Sequence, residues 1–530
     1  MSWEPEIEEL RRREALAEQL GGPDKVERQH HFGKLTIRER IDLVADKGSF
    51  HEIGKTAGVA EYDDKGNLLH LTPSNFLFGV AKIDDRPVIL SGDDFTVRGG
   101  SADATIPEKR NTAEGMAMEL RLPHVRLVDG MGGGGSVKTI EMAGRTYIPQ
   151  LRGWETIVNH LSVAPSVALA LGSVAGIGAA RVATAHYSVI VRDTAQMMIA
   201  GPALVEQASL GDHGKEELGH ADIHTANGAI DDAVDSEAEA FARAKQFLSY
   251  LPTNIDEHAP RLEPSDDRNR RDESLISIVP KQPRRVYKMR EIIKTVFDQP
   301  VESPSSDTAR EGDGGFFEIG KDWGRSIITG LARLNGYPVA VFAEDPYVYG
   351  GAWTADGCRK LIRLLDMAST FHLPVIHLED CPGFLIGKES EENATIRYGS
   401  QALAALGQLT TPFACVVIRK AFGVAGAANN QPGMHSFRYS WPSGDWGSLP
   451  IEGGIEVAYK QDLADSDDPD ALLDEIRDRL NLVRSPHRSA EFFEIEEIID
   501  PRDTRPLLCE WAELVQRSIP LGPSSFGYRP

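Results

Sequence analysis

The residues best placed to do chemistry in this chain are glycines. "LPHVRLVDGMGGGG" (122–135) carries a strand-like run, Val125 to Val128, into Asp129 and then Gly132 to Gly135. "LPVIHLEDCPGFLIG", starting at Leu373, has the same plan: an apolar run, Asp380, and a glycine-bearing turn. Further glycine turns fall at 176–180 and 423–427. Glycine lets a ligand oxygen approach the backbone closely. Where a strand hands over to a helix, the first N–H groups are unpaired and carry a partial positive charge. Two such groups on one oxygen form an oxyanion hole, which stabilises an enolate without any catalytic side chain. Close packing of a helix on a strand is the competing use of glycine. A dinucleotide turn fits less well, because "GMGGGG" is not followed by a suitable acidic residue on a second strand, and GxxxxGK[ST] occurs nowhere.

The elements that hold these turns occur twice. "RPVILSGDDFTVRGG" (86–100) aligns with "YPVAVFAEDPYVYGG" (337–351), and Pro87/Pro338, Asp94/Asp345, Pro123/Pro374 and Asp129/Asp380 all stand 251 positions apart. "APSVALALGSVAGIGAA" (164–180) resembles "TPFACVVIRKAFGVAGAA" (411–428), with Pro165/Pro412 and Gly176/Gly423 offset by 247. The chain therefore reads as two copies of one domain of about 250 residues. In each copy strand-like runs (86–94 and 124–129 in the first) alternate with helical spacing: Ala113, Met116, Ala117 and Leu120, then Leu361, Ile362, Leu365 and Ala368. That alternation specifies an α/β fold with right-handed crossovers. Residues 1–32 form a charged helical extension, 33–260 the first domain and 270–525 the second, linked through "YLPTN" and the charged stretch after it. Residues 302–315 read as an acidic loop.

Bulk properties narrow the class. A net charge of −23 argues against a nucleic-acid or anionic-membrane binder, while leaving room for a local basic patch on an anionic ligand. The four cysteines include no CxxC pair, so neither a zinc ribbon nor a disulfide framework is expected, and no metal is assigned to this chain. Leu161 to Ala180 is uncharged over the length of a bilayer crossing, but Pro165, Gly172, Gly176 and Gly178 interrupt it, and the second copy carries Arg419 and Lys420 mid-segment. It reads as a buried strand, a glycine turn and a buried helix. The charged N-terminus is no secretory signal, and a cytoplasmic location is expected.

"TIRERIDLVADKGSFHEIG" (36–54), "DDFTVRGGS" (93–101), "EELGHADIHTANGAID" (216–231), "DCPGFLIG" (380–387), "IRYGSQAL" (396–403) and "VIRKAFG" (417–423) resemble the carboxyltransferase (beta) subunit of biotin-dependent acyl-CoA carboxylases of the propionyl-CoA carboxylase type. The resemblance covers roughly residues 33–525. It implies a tandem duplication of a crotonase-like domain and a reaction in which CO2 passes from carboxybiotin to the enolate of an acyl-CoA. It implies an acyl-CoA hole built from the backbone of Gly132, Gly133, Ile177 and Gly178, and a biotin hole from Gly383, Phe384, Val424 and Ala425. It also implies biotin supplied in trans on a carrier protein, a biotin carboxylase or carboxyl carrier subunit as partner, and a homo-oligomer, a hexamer. The chain has no Ala-Met-Lys-Met or Val-Met-Lys-Met biotinylation site of its own.

The chain departs from the family where the acyl group would sit. A pocket Tyr expected near 180 is Ala180, with Arg181 beside it, and an Asp expected near 427 is Ala427. These three are assigned to substrate binding, with Arg181 expected to face solvent. Two alternatives accompany the reading: a decarboxylase running the same transfer in reverse on a malonyl-type CoA, and a non-catalytic scaffold paralogue. A hydratase or isomerase fits less well, since no paired Glu lies in the first-copy turns. His224 reads as a loop hydrogen-bonder, His30-His31 as a solvated helix end, and Trp441-Pro442 as packing.

Overall fold

A computed structural model describes residues 2–101, 104–130, 137–146, 148, 150–264, 266–299 and 315–525. The chain divides into two compact units, Met1–Glu257 and His258–Pro530. Residues 302–314, most of the acidic loop expected from the sequence, lie outside the described residues, as do Gly132 and Gly133.

In the first unit, seven strands form one sheet whose order follows the chain: His51–Glu52, Phe76–Ile83, Arg86–Asp93, His124–Val128, Ser166–Ala170, Tyr187–Val191 and Asp232–Val234. The first three pair antiparallel and the rest parallel. Parallel strands buried on both faces read as continuous apolar runs, and Ser166–Ala170 is buried throughout. The second unit repeats the order with Phe317–Glu318, Ile327–Leu334, Tyr337–Glu344, Val375–Cys381, Phe413–Phe422, Phe437–Ser440 and Glu497–Ile498, and adds Asp445–Gly447 beside Phe413–Phe422. Its core joins Val341, Ile376, Val416 and Ile418 of the sheet to Ile292 and Ile293 of helix Met289–Val296 and Trp511 of helix Thr504–Leu514.

The repeat extends to single hydrogen bonds. Asp93 Oδ2 accepts from the Asp129 N–H at 3.2 Å, and Glu344 Oε2, 251 positions later, accepts from the Asp380 N–H at 2.9 Å. Each of these acids therefore holds the start of a glycine-bearing turn to the end of the neighbouring strand.

Several local expectations are corrected. The N-terminal extension is two helices, Glu4–Glu18 and Pro23–His31, broken where Gly22 adopts φ +94°. The uncharged segment is not simply strand, turn and helix: a short strand, Ser173–Ala175, intervenes before helix Ile177–Ala183. Among the described residues no helix is long and apolar enough to cross a membrane. On helix Pro107–Leu120, Ala113 and Ala117 are buried, but Leu120 is 51% exposed, because the apolar stripe ends one turn before the helix does. Trp441 is buried as expected, its Nε1–H donating to Thr504 Oγ1 at 2.9 Å.

Candidate active site

The turns of the second unit leave adjacent parallel strands, where Cys381 is in register with Ala421. Gly383 has φ +116°, and a methyl group there would stand 3.5 Å from the Phe422 carbonyl oxygen, so the two turns are close neighbours. Trp353 bridges this segment: its N–H donates to the Gly383 carbonyl at 3.0 Å, and its carbonyl accepts from Leu385 at 2.9 Å. Pairing through the residues on either side leaves the Phe384 N–H pointing away from Trp353. Gly423, at φ +64°, starts the other turn, and the 3-10 helix Ala425–Ala427 follows. The N–H groups of Phe384, Val424 and Ala425 donate to no other described residue. Ala425 is fully buried, whereas Val424 is 62% exposed, so this turn has one face open to a ligand. Ala427 is exposed.

The first unit shows the same turn. Gly176 has φ +60° and caps helix Ile177–Ala183, whose first internal bond is Ala180 N–H to the Gly176 carbonyl at 3.0 Å. The N–H groups of Ile177 and Gly178 donate to no other described residue. Before the other turn, Asp129 is fully buried. It accepts from Lys34 Nζ at 2.9 Å and Arg40 Nη1 at 2.9 Å, and Arg40 also reaches Glu237 at 2.7 Å. Burial pushes the Asp129 carboxyl up, but the Arg40 and Lys34 charges outweigh that and hold it below its ordinary value.

Ala180 is half-buried. Arg181 does not face solvent. It is buried with Asp93, Arg110, Glu114 and Arg126 around a cavity of about 20 Å³. Burial, and then the charge of Arg110, push its guanidinium down to about 10. The sequence places Arg181 on a helix, but which face looks inward depends on the handover at Gly176.

A larger pocket of about 620 Å³ lies beside the first-unit turns. Lys25, Arg28, Lys34, Arg98 and Lys215 line it with Phe32, Phe95 and Ser173, and Asp193 is the only acid among the lining residues. Sequence reasoning missed this pocket, because its cations come from segments far apart in the chain and form no run. His224 is a hydrogen-bonder as expected, although it sits on helix Ala221–Ala226 rather than a loop, with Nε2 2.5 Å from the Met197 carbonyl oxygen. His30 is exposed at the end of its helix and pairs with Glu39.

Comparison with known proteins agrees with this geometry. The model of the family described as "Carboxyl transferase domain" matches residues 28–518. The propionyl-CoA carboxylase carboxyltransferase subunit of Haloferax mediterranei is 31% identical over 510 residues, covering 95% of each chain. The methylmalonyl-CoA carboxyltransferase 12S subunit of Propionibacterium freudenreichii subsp. shermanii is 30% identical, covering 96% of this chain and 94% of that one. The crystal structure of the transcarboxylase 12S hexamer assembly, with methylmalonyl-coenzyme A and methylmalonic acid bound, has a TM-score of 0.85 at 27% identity and covers 100% of this chain and 98% of that one. The chain belongs to the carboxyl transferase domain family.

Proposed function

We propose that this chain is the carboxyltransferase subunit of a biotin-dependent acyl-CoA carboxylase, with acyl-CoA held by the first domain (33–260) and biotin by the second (270–525). The observation that carries the assignment of acyl-CoA is the cationic pocket of the first unit. In a chain of net charge −23, Lys25, Arg28, Arg98 and Lys215 around one pocket, besides Lys34 on Asp129, match the phosphates of coenzyme A. Phe32 and Phe95 offer faces for its adenine.

The backbone N–H groups of Ile177 and Gly178, with those of Gly132 and Gly133, then stabilise the thioester oxygen as it becomes an enolate. In the second domain the N–H groups of Gly383, Phe384, Val424 and Ala425 serve the ureido oxygen. The unpaired donors at Phe384, Val424 and Ala425 fit a carbonyl of that kind. Held by Gly383, Phe384, Val424 and Ala425, carboxybiotin would supply the CO2 and the proton acceptor for the α-carbon. The protein holds both oxygens in fixed dipoles and needs no side-chain base.

By the family resemblance, Ala180 and Arg181 are the acyl-end positions of the first unit and Ala427 is that of the second. The small side chain at 180 leaves room, whereas Arg181, buried beside Asp93 and Glu114 around a cavity of about 20 Å³, has no space for an acyl end and backs the wall behind it. The family resemblance supports a homo-hexamer served by a biotinylated carrier subunit, and the four free cysteines fit a reducing compartment such as the cytoplasm. The test combines the purified chain, a biotinylated carrier charged with CO2, and a panel of acyl-CoAs. Carboxylation of at least one acyl-CoA is expected. Failure with every member, together with no acyl-CoA binding by titration, would leave the scaffold reading instead.

A further inference from the structure

Beneath the second pair of turns, three side chains able to ligate a metal face one another away from water. His377 and Glu379 are two residues apart on strand Val375–Cys381 and so project from one face of it. Cys415 is the register partner of His377 on the neighbouring strand. All three are fully buried, and one donor atom from each lies within 4.8 Å of the others. Cys415 Sγ is 3.7 Å from Glu379 Oε2 and 3.9 Å from His377 Nδ1. The Ala428 carbonyl oxygen is 3.1 Å from the same nitrogen.

The Cys415–Glu379, Cys415–His377 and His377–Ala428 separations of 3.7, 3.9 and 3.1 Å are close to the edges of a tetrahedron around zinc. With Zn–S of about 2.3 Å and Zn–N and Zn–O of about 2.0–2.2 Å, ligand atoms sit roughly 3.4–3.6 Å apart. The surroundings are those of a metal-bound imidazole. His377 Nε2 faces Glu344 Oε1 and Oε2 at 3.0 and 3.1 Å. A carboxylate on the far nitrogen orients the ring and directs the other nitrogen to the metal. Glu344 is itself fixed by the Trp353 Nε1–H and the Asp380 N–H, each at 2.9 Å. Phe342 stacks on the imidazole with centroids 4.0 Å apart. Glu379 Oε1 makes no close hydrogen bond among the described residues, although the Asn429 side chain bears on this carboxyl, and a buried oxygen so weakly satisfied leaves room for a metal.

We propose that His377 Nδ1, Glu379, Cys415 and the Ala428 carbonyl bind a structural zinc ion. Ionised Glu379 and Cys415 balance its two charges, and each gives up a proton as the ion enters. The first copy lacks the donors: Arg126 and Val128 stand 251 positions before His377 and Glu379, and Ala168 stands 247 before Cys415. The site therefore belongs to the second copy and not to the fold. Ala428 follows directly on the 3-10 helix Ala425–Ala427, so the ion pins that turn to the strand beneath it. The assignment departs from the expectation that this chain binds no metal.

The full chain, purified without chelator, is expected to carry about one zinc per chain by elemental analysis. X-ray absorption of the wild type should show one sulfur at about 2.3 Å in a shell otherwise of nitrogen and oxygen. Cys415→Val should lose the metal, and a chelator should lower the Tm of the wild type but not of the variant. A metal-free wild type that takes up no added zinc overturns the proposal. So does a wild-type shell without sulfur, or zinc content unchanged in Cys415→Val. Should the variant fail to fold, the wild-type absorption spectrum and zinc uptake decide alone.

Discussion

Arg40 donates to Asp129 at 2.9 Å with neither side chain exposed to water. Removing one partner of a buried pair costs about 3–5 kcal/mol. Arg40→Met should therefore destabilise the first unit by that order, read as a fall in its melting temperature. The sign of the pH effect follows from the depressed Asp129 carboxyl. Its contribution is fully present above the unfolded value of about 3.9 and is lost as the pH falls through the lower folded value. In Arg40→Met that carboxyl is less depressed, so acid unfolding should begin at higher pH. Parallel stability–pH curves for the two proteins would refute this.

Val424 has right-handed helical backbone angles, with a φ that proline adopts without strain. Val424→Pro should keep the turn and delete one N–H donor. Removing one donor of an oxyanion hole costs about 10²–10³ in kcat. Transfer from the carboxylated carrier should fall by this order, with the affinity for acyl-CoA unchanged. A variant of wild-type kcat would exclude this N–H from the site.

The cationic pocket predicts a split between binding and turnover. Lys25→Ala/Arg28→Ala should raise KM for acyl-CoA several-fold, leave kcat alone, and have no effect on an acyl-pantetheine that lacks the nucleotide. The difference should shrink at high salt, because these charges reach solvent. An equal rise in KM for both substrates would remove the nucleotide from this pocket.

At the acyl end, Ala180→Tyr should shift kcat/KM toward shorter acyl groups. Each buried CH2 is worth about 0.8 kcal/mol, or about fourfold. Arg181→Leu, inside a cavity of about 20 Å³ that admits no acyl group, should instead leave the preference between carboxylate-ended and apolar acyl groups unchanged. The readout is the ratio of kcat/KM across an acyl-CoA panel. If Ala180→Tyr does not change that ratio, residue 180 does not line the acyl pocket, and if Arg181→Leu does change it, residue 181 reaches the substrate.

The duplicated frame is legible because strand periodicity, proline-led strand starts and Asp-led turns recur at a fixed spacing, and each pattern has a local cause. Features that depend on which side chains meet across the sheet are not legible. In "VIHLED" the period-2 pattern marks His377 and Glu379 as sharing a face, but nothing in the run points to Cys415 on the next strand. Arg181 misleads for a similar reason. A lone Arg on a short helix ordinarily reaches water, and only the packing of that helix against Arg110 and Glu114 turns it inward. Gly132 and Gly133 lie outside the described residues, so their place in the first hole rests on the family resemblance.

The turns at Gly176 and Gly423 offer peptide groups rather than side chains. The oxyanion role proposed for them would therefore be nearly blind to residue type: Ile177 and Val424 present the same N–H that any residue but proline would. Such a site tolerates substitution at its donor positions, because the peptide group is common to every residue but proline. The constraint at these turns therefore falls on backbone angles rather than on side-chain chemistry.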